Sequence, residues 1–358
     1  MVASDRSLRP VALWLLGMAG LVAIMVLVGG ATRLTDSGLS ITQWDLVMGT
    51  LPPLNLAAWQ EAFALYKQIP EYERVNAGMT LDEFKFIFWW EWGHRNLGRF
   101  IGLAFLIPFI VFMLMGRVRG SLRLRLAGLF LLICLQGAIG WYMVSSGLSE
   151  RVDVSQYRLA LHLSTALVLF VLLLWQGLAL LRPRQLVEGG NEALTRLAAW
   201  LMALVSLQIV LGAFVAGLRA GLAYNTWPLM GGKIVPEEYF SETPRLLDLF
   251  ERIPAAQFNH RTLAYLVAAF AGFFVYRAIK AGYRKLGLAV AGVIGVQIVL
   301  GIWAVLAMVP LWLGLAHQAG AVAILAVLTV AIYHLRPASA PAAAAIPVQT
   351  ARRAAPAT

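Results

Sequence analysis

Eight stretches of about 20 apolar residues punctuate the chain, near 11–31, 96–115, 126–145, 160–181, 195–217, 261–280, 285–306 and 311–334. Each is long enough to cross a hydrocarbon core roughly 30 Å thick as a helix, which satisfies its own backbone without a partner strand. The sequence therefore predicts an all-α membrane protein with eight transmembrane helices. Only 13% of the 358 residues are charged, which excludes a soluble domain of ordinary composition. Arg6 and Arg9 precede the first stretch as they would a signal peptide, but its apolar run is too long and lacks a convincing cleavage site. It reads as a retained span.

A net charge of +11 would suggest nucleic acid in a soluble protein. Here it follows the membrane topology instead. The segments before the first span and after each even-numbered one hold 16 basic residues against three acidic, and the remaining segments hold 13 against 15. The positive-inside bias puts both termini in the cytoplasm and turns the long segments 32–95 and 218–260 outward. No intrachain disulfide is possible, because Cys134 is the sole cysteine; mid-span, it is expected to be buried as a small apolar side chain. The stretch from Pro337 onward is low in complexity and reads as a disordered cytoplasmic tail.

The sequence repeats itself. EWGHRNLGRF after Phe88-Trp89-Trp90 returns as QFNHRTLAYL, placing His94-Arg95 and His260-Arg261 at the outer mouths of two even-numbered spans. GLSITQW (38–44) is echoed by GLAYNTW (221–227), each in the loop before its His-Arg pair. Gln-x-x-x-Gly recurs in spans three, five and seven as Gln136/Gly140, Gln208/Gly212 and Gln297/Gly301, and the fourth and eighth spans each carry one outer histidine, His162 and His317. These pairs predict two four-helix bundles in parallel repeat, residues 1–185 and 186–336, followed by the tail 337–358.

Four histidines then share one membrane depth, two per repeat. A single interfacial histidine often only snorkels to water, as His334 at the opposite end of span eight is expected to do. Zinc usually takes three or four clustered ligands. Two imidazoles from different helices of one bundle better suit axial ligation of a flat macrocycle between them. Arg95 and Arg261 stand at the wet edge where haem propionates would lie, although lipid headgroups would suit them too. All four candidates lie on the outer side, which disfavours a wire carrying electrons across the bilayer.

The halves differ at one position. Glu91 precedes His94 by one helical turn, and its counterpart before His260 is Gln257. A carboxylate in a partly apolar pocket near Trp89, Trp90 and Trp92 can, with a raised pKa, exchange protons, or it can stabilise a developing cation; an amide can do neither. A plainer use for Glu91 is pairing with an arginine.

TRLTDSGLSITQW, EWGHR, NHR, NTWPLM and the histidines of spans four and eight together resemble the haem A synthase family over roughly residues 11–334. Lacking loop cysteine pairs, the chain is similar to the proteobacterial and mitochondrial branch. The resemblance implies an oxidoreductase that converts a porphyrin methyl of haem O, through hydroxylation, to the formyl group of haem A for haem-copper terminal oxidases. It implies His94 and His162 as iron ligands of the substrate haem, with Glu91 as the catalytic carboxylate. His260 and His317 would be the iron ligands of a haem b cofactor. It also implies a bacterial inner membrane with the haem sites toward the periplasm. The implied partners are the farnesyltransferase that makes haem O, cytochrome oxidase assembly factors and membrane lipids, with no nucleic acid; a homo-oligomer stays open. The alternatives are a di-haem electron carrier without haem-modifying activity and a haem transporter or chaperone. In the first outer loop, residues 56–76 have apolar residues at helical spacing and read as an amphipathic helix on the membrane surface.

Overall fold

The computed structural model describes residues 8–45, 48–148, 151–181, 190–243 and 245–337, so nearly all of the expected disordered tail lies outside the described residues. The helices are α1 (Arg9–Leu34), α2 (Leu56–Tyr66), α3 (Pro70–Arg74), α4 (Leu81–Leu114), α5 (Gly120–Val144), α6 (Gln156–Leu181), α7 (Glu192–Gly217), α8 (Asp248–Glu251), α9 (Ile253–Lys280), α10 (Arg284–Leu306) and α11 (Leu311–Leu335). Eight of them, all but α2, α3 and α8, are long and apolar enough to span a bilayer. Among the described residues the only β pairing is an isolated bridge, Met230 to Lys233. The chain is an all-α, multi-pass membrane protein.

Two spans begin well before their hydropathy rises. α4 starts at Leu81 rather than near 96, because Thr80 and Glu83 form a reciprocal capping box that nucleates the helix outside the apolar stretch. Its 34 residues extend about 51 Å at 1.5 Å per residue, well beyond a core of roughly 30 Å. α9 starts at Ile253 with a proline in its first turn. Glu91, His94 and His260 therefore lie inside helices that begin before the apolar stretch does.

α1 packs on α4 and α6, and α5 bridges α4 and α6, closing one ring of four; α7, α9, α10 and α11 close a second. α1, α6, α7 and α11 meet between the rings. Lipid supplies no hydrophobic drive between helices, so packing and interhelical hydrogen bonds carry the association. Trp14 Nε1 donates to the Ala104 carbonyl at 3.0 Å, and Gln318 Nε2 to that of Val26 at 2.8 Å. Cys134 is exposed on α5, not buried. A small apolar side chain facing hydrocarbon needs no protein cover.

The amphipathic segment of the first loop forms α2 and α3. Its apolar face meets the N-terminal extension of α4: Phe63 stacks on Phe84 with centroids 4.9 Å apart, and Trp59 meets Phe88 edge-on. Glu71 is buried in this cap, where its Oε2 accepts from the Tyr66 hydroxyl at 3.2 Å. Burial pushes its carboxyl up from 4.5 to about 8; the Tyr66 hydrogen bond partly opposes this, while Asp36, Asp153 and Glu91 add to it. A carboxyl pKa raised by folding means the fold prefers the protonated form. That contribution is complete below the unfolded value of 4.5 and is lost as pH rises through about 8. Glu71→Gln is expected to gain thermal stability over the parent progressively across that window, as measured by unfolding in detergent at a series of pH values. A constant offset would contradict it.

Candidate functional site

Each of the four histidines sits on an even-numbered span and turns its ring toward a glycine on the preceding odd-numbered one. A methyl group added at Gly29, Gly140, Gly212 or Gly301 would lie 2.9, 3.0, 3.1 or 2.8 Å from the Cε1 of His94, His162, His260 or His317 respectively. Any larger residue would push the ring out of its seam. Gly29 completes a set of which the repeat pattern reveals three, because the residue four before it is Met25 rather than glutamine.

His94 and His162 stand on two helices of the first ring, and His260 and His317 on two helices of the second. The Nδ1 atoms of His94 and His317 are buried with no hydrogen-bond partner. Among the described residues, no group of three or more His, Cys, Asp or Glu side chains is placed to hold a bare ion. Two imidazoles in each ring of helices, each seated by a glycine, suit residues that would hold the iron of a haem.

Each His-Arg pair also fastens its loop. Arg95 Nη2 donates to the Ile41 carbonyl at 2.7 Å and Nη1 to that of Gln43 at 2.9 Å. Arg261 repeats this, with Nη2 to Tyr224 at 2.6 Å and Nη1 to Thr226 at 2.8 Å. The carbonyls belong to equivalent positions of GLSITQW and GLAYNTW. The guanidinium groups thus clamp loop backbone, and Arg261 keeps a buried Nε without a partner.

Glu91 is not in an apolar pocket. Its Oε2 accepts from Ser40 Oγ and from the Ile41 N–H, both at 2.7 Å, and its Oε1 from Arg95 Nη2 at 2.6 Å and Nε at 3.1 Å. Four donors converge on a carboxylate only 2% exposed. Gln257, equally buried, donates only to the Tyr224 carbonyl at 3.2 Å and leaves its Oε1 without a partner. The position matching Ser40 is Ala223. Ser40 was hidden in the sequence, since one short polar residue in a loop carries no pattern; its first-half-only occurrence was the available signal. A small open cleft adjoins Arg95, lined by Thr42, Trp44, Trp141 and Leu148 among others.

An eight-span helical membrane protein with two glycine-seated histidines in each ring of helices, one pair beside a buried carboxylate, is the class that fold and site define. The chain belongs to the cytochrome oxidase assembly protein family, whose sequence pattern matches residues 12–329. It is 49% identical to a protein of Parvibaculum lavamentivorans named Heme A synthase, over 93% of this chain and 95% of that one. Proteins of the same name from Bradyrhizobium diazoefficiens and Maricaulis maris are also 49% identical, the first over 90% of this chain and 91% of its own, the second over 93% and 98%.

Proposed function

We propose that the protein is a haem A synthase, an oxidoreductase that converts a porphyrin methyl of haem O, through hydroxylation, to the formyl group of haem A, for use in haem-copper terminal oxidases. Near-full-length identity to relatives of that name carries this reading. The asymmetry of the site supports it against a di-haem carrier or a haem chaperone, neither of which needs a carboxylate at only one of two equivalent places.

The chain divides at about residue 185 into two parallel four-helix halves, a division supported by the two rings of helices and the matched arginine clamps. His94 and His162 hold the iron of the substrate haem, with Glu91 acting on the reacting methyl or on the water beside it. His260 and His317 are the ligands suited to a haem b cofactor. Bound there, haem b would supply one-electron transfer. The Nε of Arg261 suits a propionate, and Arg95 offers its edge beside the small cleft. The charge distribution supports cytoplasmic termini in a bacterial inner membrane, with the sites toward the periplasm. The farnesyltransferase that makes haem O is a natural donor partner, cytochrome oxidase assembly factors are natural recipients, and self-association remains compatible.

Expression with a source of haem O, followed by chromatography and mass analysis of extracted haems, tests the reading. Hydroxylated and formylated haem are expected. Bound haem without either product would overturn it. Ser40→Ala removes one charge-assisted hydrogen bond from Glu91 and is expected to slow product formation about tenfold or more, with bound haem unchanged. An unaltered rate would make Ser40 incidental.

A further inference from the structure

The four histidine seats differ in what holds the ring. Gln136, Gln208 and Gln297 each donate an amide N–H to the backbone carbonyl of the histidine they face, at 2.8, 2.9 and 3.0 Å. The same amide nitrogen also touches the ring, 3.1 Å from His162 Nδ1, 3.0 and 3.3 Å from His260 Nδ1 and Nε2, and 3.4 Å from His317 Nε2. Each glutamine stands four residues before its seating glycine, so one amide holds the histidine's carbonyl and lies against its ring, which restricts the ring's rotation.

His94 has no such tie. Four residues before Gly29 is Met25, separated from Gln208 by the same 183 residues that separate Gly29 from Gly212 and Ser40 from Ala223. Met25 occupies the corresponding seam: a methyl added at Gly98, one turn beyond His94, would meet its Cε at 3.4 Å. A thioether has no N–H to give, and His94 Nδ1 is buried without a partner. His317 Nδ1 also lacks one, but Gln297 still binds that residue's carbonyl and touches its ring.

Groups that orient a metal-ligating histidine typically change metal affinity by about 10–100-fold. We propose that Met25, by withholding the amide present at the other three seats, makes His94 the releasable ligand of the substrate-haem pair, while glutamine-held His162 retains the iron. This rests on the haem-ligating reading of the four histidines. It places the difference where the two halves need one: an iron that must open a coordination position has one loosely held imidazole, and an iron that only passes electrons has two that are restrained.

The test is carbon monoxide titration of the reduced, purified protein carrying haem O in the first half and haem b in the second, followed by absorbance and normalised to extracted haem. The parent is expected to bind carbon monoxide at the haem O iron only. Met25→Gln should lower that binding about tenfold or more, Met25→Leu should behave as the parent, and the reciprocal Gln208→Met should make the haem b iron reactive. Met25→Gln binding carbon monoxide like the parent would overturn the proposal, as would a parent that binds none. If Met25→Gln fails to load haem, Gln208→Met decides, and an unreactive haem b iron there overturns it. Absence of haem A from the parent would sink the enzymatic reading while leaving the carbon monoxide pattern to be judged by itself.

Discussion

Glu91→Gln is expected to abolish haem A formation while leaving haem bound. The protein already contains the structural control, because Gln257 occupies the equivalent place in α9 at the same burial. Glutamine at 91 can still accept from Ser40 and from the Ile41 N–H through its carbonyl oxygen, and Arg95 keeps its two loop carbonyls. The loop clamp should therefore survive. What disappears is the ability to take up a proton or to face a developing positive charge with a full negative one. Positioned acid–base groups typically contribute about 10²–10⁴-fold, and a loss in that range is expected. The measurement is single-turnover product formation from pre-bound haem O, with haem stoichiometry taken from pyridine haemochrome spectra. If haem is lost along with activity, Glu91 is chiefly the brace of the first loop, a role its four donors would also explain.

That second possibility shows where sequence reading stops. Spans announce themselves because hydrocarbon tolerates few charges, so the eight apolar stretches predict eight helices and the paired histidines stand out within them. Helix starts do not follow hydropathy. α4 begins outside the apolar stretch because Thr80 and Glu83 cap it and Phe84 and Phe88 meet aromatic partners from α2. Arg95 and Arg261 were conspicuous as cations, but their partners are backbone carbonyls, which every residue has and no sequence distinguishes. Gly29 was lost among the many glycines of the spans, since Met25 breaks the glutamine pattern that marks the other seats. The amphipathic spacing of 56–66 was visible, but a periodic apolar face fits lipid and protein equally well until the aromatic cluster beneath it is known.

His260→Ala is expected to remove the second-half haem selectively and, with it, product formation. The imidazole sits between Gly212 and the Gln208 amide, which holds both ring and carbonyl. The carbonyl bond persists in the variant, so α7 and α9 should stay packed and only the ring's space opens. His317 alone would then remain to hold the group. Its loss of a partner is expected to lower affinity by at least the order of 100-fold that outer-sphere changes reach, since a direct ligand is gone. The pyridine haemochrome spectrum should lose its haem b component while substrate haem stays on His94 and His162. His94→Ala should leave haem b in place. With haem O bound but no second haem to deliver or remove electrons, the first half would hold its substrate without converting it. Bound haem O, absent haem b and absent product, found together in one preparation, would separate the roles of the two halves. An unchanged haem b content would place that cofactor elsewhere and detach His260 from it.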